Sequence, residues 1–329
     1  MPRGSLFWRA RVLGFIITLA LLTYGLPHID WPALYGALPD LDAGLIPLSI
    51  AATFLSYVLR TLRWREILRP YRPLGLGALY SALMVGFAAN NLLPARAGEV
   101  VRALLLHQET GVSRSLVLST VLLERIFDGL TLIGMLGIIA LVWTVPGAGA
   151  AASLIVAATF LVAIALVTVV AREERLAAWF ATTAVRIAPA RIKDVIGAKA
   201  RSALEGLAVL RDRRGIIVVV ALSLVVWGCE ALSYYALIQS ALGGQALPAA
   251  LLATVTINLG IMLPAAPGYV GTFEAAAILA LTNFGLSVAD ALAIALVSHG
   301  IQWMLVTGIG AAIALRAGYS LRPTRAAPA

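Results

Sequence analysis

The chain has 329 residues, 61% of them hydrophobic and only 12% charged, with a mean hydropathy of +0.93. That composition excludes a soluble domain and marks an integral membrane protein. A formal net charge of +9, one cysteine (Cys229) and histidines only at 28, 107 and 299 leave no material for a disulfide framework or a Cys-rich metal site. No HExxH, Walker or GxSxG pattern occurs, so no metal, nucleotide or other cofactor is expected.

In chain order, residues 6–26 form a first apolar segment after Arg3, Arg9 and Arg11. It ends at Pro27 without a small-residue cleavage site and reads as a span rather than a signal peptide. The loop 27–43 carries Asp30, Asp40 and Asp42 and no Lys or Arg, which puts the N-terminus on the cytoplasmic side. A second span, 44–64, returns to Arg60, Arg63, Arg65, Arg69 and Arg72. Residues 76–107 are apolar as far as Leu93, break at Pro94 and Gly98, and then carry Glu99 and Arg102. A full span needs about 20 apolar residues, so this stretch reads as a re-entrant helical hairpin entering from the cytoplasm.

Residues 115–145 cross outward with Glu124, Arg125 and Asp128 at membrane depth, and 151–171 cross back. The segment 172–214 holds ten basic and five acidic residues and reads as two amphipathic helices on the inner leaflet. Residues 215–242 cross outward with Glu230 inside. A second hairpin, 249–283, has arms too short to span and a tip at 264–271, and 287–315 return inward to a basic C-terminus. Of the 25 Lys and Arg, only Arg96, Arg102 and Arg125 fall away from the predicted cytoplasmic stretches and the cytoplasmic ends of the first two spans. The positive charge therefore encodes topology and leaflet contact rather than nucleic-acid binding.

The two hairpin tips repeat one pattern. LPARAG (93–98) and LPAAPG (263–268) share Leu-Pro-Ala and the final Gly, each trailed by a carboxylate, Glu99 or Glu274. With the sidedness above, 44–145 and 215–315 form an inverted repeat within a single membrane domain, 1–329. The expected fold is thus all-α, with six full transmembrane helices and two opposed re-entrant hairpins. Inverted repeats meeting at broken helices are the architecture of alternating-access transporters. Irregular backbone at that depth also requires a protein-lined cavity between the tips.

Charges at membrane depth cost roughly 2.5–3.5 kcal/mol each and are functional candidates by default. Arg96 and Arg102, at the start of a half-helix, suit a phosphate, while Glu99 reads equally as a helix cap or a proton carrier. Glu124, Arg125 and Asp128 read as an internal ion pair pinning helices or as substrate contacts, Glu124 and Asp128 lying one turn apart, and Glu124, Asp128 and Glu230 as a proton or ion-pair network. Arg125 points about 100° away, toward another element such as Glu99 or Glu230. Asn91 and Asn258 precede the Pro breaks, where they bond freed backbone or touch a headgroup. Glu230 and Glu274 have no cation near in sequence and suit proton coupling, or a neutral acid bonded to another helix. Arg60 and Arg63 admit a plainer role, snorkelling to inner headgroups. His299 and Gln302 read as interhelical hydrogen-bonders.

Four motifs together resemble the lysylphosphatidylglycerol synthase transmembrane-region family. They are Arg60-x-x-Arg63-Trp64, Asn91-Leu-Leu-Pro94-x-Arg96-x-Gly98-Glu99-x-x-Arg102, Glu124-Arg125-x-x-Asp128 and Pro264-x-x-Pro267-Gly268-x-x-Gly271-x-x-Glu274. The resemblance implies a bacterial-type inner-membrane protein, termini cytoplasmic, that moves lipid between leaflets. The sequence stops at Ala329, shortly after its last predicted span, with no room for the soluble synthase domain of larger members. The expected activity is therefore flippase-type transport of a lipid with an anionic, phosphate-containing headgroup, without enzymatic synthesis. The substrate-contacting set is Arg60, Arg63, Asn91, Arg96, Glu99, Arg102, Arg125, Asn258 and Glu274. The alternatives are an intramembrane enzyme acting on lipid phosphates or glycolipids, and a proton-driven carrier of a small hydrophilic solute.

Overall fold

The computed structural model describes residues 29–38, 41–93, 96–143, 212–262 and 266–318, with isolated positions at 16, 18–20, 23, 27, 182, 183 and 186. The expected span 151–171, most of the first span and the linker, and the tip prolines Pro94 and Pro264 lie outside the described residues. Among the described residues every regular element is a helix. Four of the helices are long and apolar enough to cross a membrane: α2 (Ile46–Leu68), α5 (Arg114–Val142), α6 (Arg213–Leu242) and α9 (Val288–Ala317). They coincide with the four predicted spans that can be compared.

Between them lie two pairs of shorter helices, α3 (Leu76–Leu92) with α4 (Gly98–Thr110), and α7 (Ala246–Gly260) with α8 (Thr272–Thr282). With 17, 13, 15 and 11 residues, these reach about 26, 20, 22 and 16 Å at 1.5 Å per residue. All four fall short of the ~30 Å hydrocarbon core. Leu93 leaves α3 in an extended conformation, as the ring of the following proline demands.

Part of the loop 27–43 departs from its reading: Trp31–Ala37 form a helix, α1. The Asp30 carboxylate accepts from Ala33 N–H at 3.0 Å, and Pro32 sits in the first turn, where a missing N–H costs nothing. Leu34 and Ala37 bury against Leu292 and Ala293 of α9.

The longest helix contact pairs α2 with α6. Ser233 lies within 2.8 Å of Ser49 and 2.9 Å of Thr53, small hydroxyl residues that let two spans approach and bond. α3 packs on α9 and α5 on α7, so each hairpin rests on the last span of the other half. Glycines permit the close approach of α4 to α3 within the first hairpin and of α9 to α3. A Cβ on Gly98 would fall 1.8 Å from the Gly86 carbonyl oxygen, and one on Gly310 would fall 2.6 Å from the Met84 carbonyl oxygen.

Candidate functional site

Arg60, Asp128, Glu230 and His299 each occupy the middle third of their long helix, so the polar side chains converge far from the helix ends. There, helices and tips from both halves enclose a cavity of about 100 Å³. That is room for a few waters or one small polar group. Arg60, Arg96, Arg125, Glu99, Glu230 and His299 are its charged or titratable non-aromatic walls. Asn90, Asn91, Asn258 and Gln302 add amides, and aromatic rings including Tyr57, Trp227, Tyr269 and Trp303 close it. No Ser, Thr, Cys or Lys is among the described lining residues.

Beneath the cavity lies a charge-balanced network. Arg63, 1% exposed, donates to Asp128 at 2.8 Å and to Ser223 at 3.0 Å. Trp227 Nε1 donates to the same carboxylate at 3.2 Å. Arg60 stands between Glu230 (3.4 Å) and Asp128 (3.9 Å), its guanidinium 4.9 Å from the Trp227 ring centre. Arg125 is likewise shared, between Glu99 (3.7 Å) and Asp128 (3.5 Å). Arg102 pairs with Glu124 at 2.7 Å and lies 3.4 Å from the Trp64 ring centre, while Trp64 Nε1 donates to Thr120 at 3.0 Å. Four guanidiniums thus face four carboxylates, which is how such a cluster tolerates burial.

Several sequence-level readings change here. Arg102 is 4% exposed and engaged by Glu124 and Trp64, away from the cavity wall. Its side chain runs from α4 to Glu124 of α5 and Trp64 of α2 instead of toward the tip. Arg63 does not snorkel, because Asp128 and Ser223 hold it in the bundle. Glu230 has a cation after all, Arg60, supplied by the adjoining helix α2. Arg125 does reach Glu99, as its angle suggested. Glu124 and Asp128, though one turn apart, serve different arginines and share none.

The asparagines also resolve. Asn91 Nδ2 donates to Thr307 of α9 at 3.0 Å and Asn258 Nδ2 to Thr254 O of its own helix at 2.9 Å. It is Asn90, absent from the sequence-derived set, that bridges the break, its Oδ1 accepting from Gly98 N–H at 2.9 Å. This occupies one of the four orphan donors at the start of α4. Asn90 was visible only as half of an Asn-Asn pair, and choosing between neighbours 100° apart needs the helix orientation.

Among the described residues each tip holds one non-glycine residue in the left-handed region, Arg96 (φ 52°) and Tyr269 (φ 61°), and both line the cavity. Such conformations cost about 1–3 kcal/mol and cluster at functional sites. Arg96 reaches across to the other hairpin, donating to the Ile261 carbonyl at 2.8 Å. Ile261 is the C-cap of α7, so the guanidinium sits at the negative end of that helix. Among the described residues Arg96 has no carboxylate partner.

Glu274 stands one layer behind the wall. One oxygen accepts from Gly271 N–H at 2.6 Å, capping α8, and the other lies 2.6 Å from His299 Nδ1. The imidazole stacks on Phe273 at 4.2 Å and 13°, and Gln302, a turn further on, donates to Tyr234 Oη at 2.9 Å. His299 and Gln302 do bond across helices, as expected, and they also form part of the cavity wall. The wall aromatics carried no signal in the sequence, since an aromatic in an apolar segment looks the same in a core.

A bundle of long apolar helices with two broken helical pairs around a central polar cavity defines a multi-pass membrane protein with a buried site. The chain belongs to the lysylphosphatidylglycerol synthase TM region family, whose pattern matches residues 11–310. It is similar to a UPF0104 membrane protein of Methanothermobacter thermautotrophicus, 27% identical over 297 residues, covering 84% of this chain and 86% of the relative. It is also similar to Glycosyltransferase AglD of Haloferax volcanii, 32% identical over 130 residues, or 39% of this chain. That match spans about a fifth (21%) of the glycosyltransferase's length. Family and relatives together indicate a lipid-related role in a membrane.

Proposed function

We propose that this protein is a transporter that moves a lipid with an anionic, phosphate-containing headgroup between leaflets by alternating access. The observation that carries the reading is Arg96. It is a cavity-wall guanidinium bonded to a main-chain carbonyl and to no carboxylate among the described residues, at the meeting point of both hairpins. A planar fork of donors beside a cavity of phosphate size suits a phosphate oxygen pair. Arg60 and Arg125, each divided between two carboxylates, can lean toward an arriving anion without leaving a charge unpaired. Asn91, Glu99 and Asn258 complete the contact set, with Asp128, Glu124, Arg63, Arg102 and Glu230 holding it in place.

The two halves, 44–145 and 215–315, are inverted repeats in this reading, and α3–α4 and α7–α8 are re-entrant hairpins from opposite faces. The packing supports it pair by pair. α2 meets its counterpart α6, α3–α9 matches α7–α5, and α2–α9 matches α6–α5, as a two-fold relation requires. The termini face the cytoplasm of a bacterial-type inner membrane, the linker 172–214 lies on the inner leaflet, and membrane lipids are the partners. Transport is preferred to enzymatic chemistry because the two carboxylates of the described cavity wall, Glu99 and Glu230, are each engaged by a guanidinium.

The test is leaflet exchange of a fluorescent phosphatidylglycerol in vesicles containing the purified protein, followed by quenching from outside. The protein should speed exchange of the anionic lipid over protein-free vesicles, and Arg96→Ala should remove most of that gain. Exchange no faster than in protein-free vesicles would refute the proposal.

A further inference from the structure

We infer that the cavity is a joint site for an anion and a proton, with His299 taking up the proton as the headgroup binds. The inference rests on the anionic-headgroup reading above and adds what is carried with it.

The geometry commits one face of the imidazole and leaves the other free. Nδ1 is held at 2.6 Å by Glu274, and that carboxylate is itself pinned by the Gly271 N–H at 2.6 Å. Stacking on Phe273 fixes the ring plane. With Nδ1–H donating to the carboxylate, Nε2 is the atom left to accept a proton. It has no hydrogen-bond partner among the described residues, and His299 is in the cavity wall. A carboxylate behind an imidazole sets its tautomer and stabilises the imidazolium that forms.

The surrounding charges leave this role to His299. α8 presents Glu274; α2 presents Arg60 and Tyr57; α6 presents Glu230 and Tyr234, with Cys229 beside them. Across the cavity stand Arg96, Glu99, Arg125 and Tyr269. α3 and α1 contribute only Tyr80 and Tyr35, neither of which lines the cavity. Glu230 and Glu99 are each engaged by a guanidinium, and Arg and Tyr do not titrate near neutrality. His299 is the wall residue with one ring nitrogen held by a carboxylate and the other without a partner among the described residues.

In the resting site the network is balanced, so an arriving phosphate oxygen adds one negative charge that Arg96 meets. A second donor forms when a proton from water binds Nε2 of His299. No bond to the lipid is made or broken; the anion and the proton arrive together and leave together. Linkage then fixes the sign: because a proton arrives with the anion, affinity falls as the pH rises.

The experiment is calorimetric titration of the whole protein in neutral-detergent micelles with dihexanoylphosphatidylglycerol, a diester whose own charge is constant over the range. Titrations in two buffers of different ionisation enthalpy report protons exchanged. Wild type should take up protons as it binds the lipid, and less as the pH is lowered. His299→Gln, which keeps a hydrogen-bonding amide, should abolish the uptake and flatten the pH dependence of affinity. Binding without proton uptake at any pH, or uptake that persists in His299→Gln, overturns the inference and leaves the anion site standing. Absence of binding by wild type at every pH overturns both. The wild-type arm needs no variant, so a misfolded His299→Gln would not rescue the proposal.

Discussion

The Arg102–Glu124 pair gives the sharpest test of how the buried charges divide between structure and substrate. Arg102 sits in a motif that suggests a phosphate ligand, yet it is 4% exposed, 2.7 Å from Glu124 and stacked on Trp64 at 3.4 Å. Glu124 is 2% exposed and has no second cation partner among the described residues. Arg102→Met therefore leaves a bare carboxylate inside the bundle and should cost about 3–5 kcal/mol. Up to about 2 kcal/mol of that is the lost cation–π contact in a desolvated site. Removing the second charge as well, in Arg102→Met with Glu124→Met, should recover most of the loss, since replacing both ions by packed apolar groups is often neutral or better. Equilibrium unfolding in mixed micelles measures both variants, with leaflet exchange measured beside it. A single variant that unfolds like wild type but loses lipid affinity would refute the structural assignment and return Arg102 to the headgroup.

Three further outcomes follow. Arg96→Lys should unfold within about 1 kcal/mol of wild type, because a lysine can still reach one carbonyl, while leaflet exchange drops because an ammonium has no fork; an equal fall in stability would make Arg96 only a latch on α7. Gly98→Ala should lower folded yield, costing about 1–3 kcal/mol or more, since its methyl would meet the Gly86 carbonyl at 1.8 Å; a normal yield with unchanged unfolding would mean the hairpin is not closed at this point. In a Cys229→Ala background, Gln245→Cys should react with an impermeant thiol reagent from outside and Ser115→Cys should not, both positions being exposed in the fold; labelling at 115 would break the assigned sidedness.

What the sequence determined by itself was much of what depends on local chemistry, although α1, capped by Asp30 with Pro32 in its first turn, reads as loop from sequence alone. Apolar length located α2, α5, α6 and α9, because a span must fill the hydrocarbon with satisfied backbone whatever its neighbours do. The Pro-Gly breaks located both helical pairs, because the restriction on Leu93 acts through the very next residue. The 100° step between Arg125 and its neighbours turned it toward another element, Glu99 or Glu230, and packing decided for Glu99. The rest is non-local. Which carboxylate meets Arg60, Arg63 or Arg102 depends on α2 lying against α6 and α4 against α5, at rotations that 3.6-residue periodicity does not set. Asn90 rather than Asn91 closes the tip, Arg102 turns away from the cavity, and His299 gains a fixed carboxylate from a helix 25 residues earlier. Each of these follows from how two helices are rotated about their axes. The close contacts at Gly86–Gly98 and Gly310–Met84 seat α4 and α9 on α3, and the hydroxyl contacts of Ser233 with Ser49 and Thr53 seat α6 on α2; they exist only once the bundle is packed.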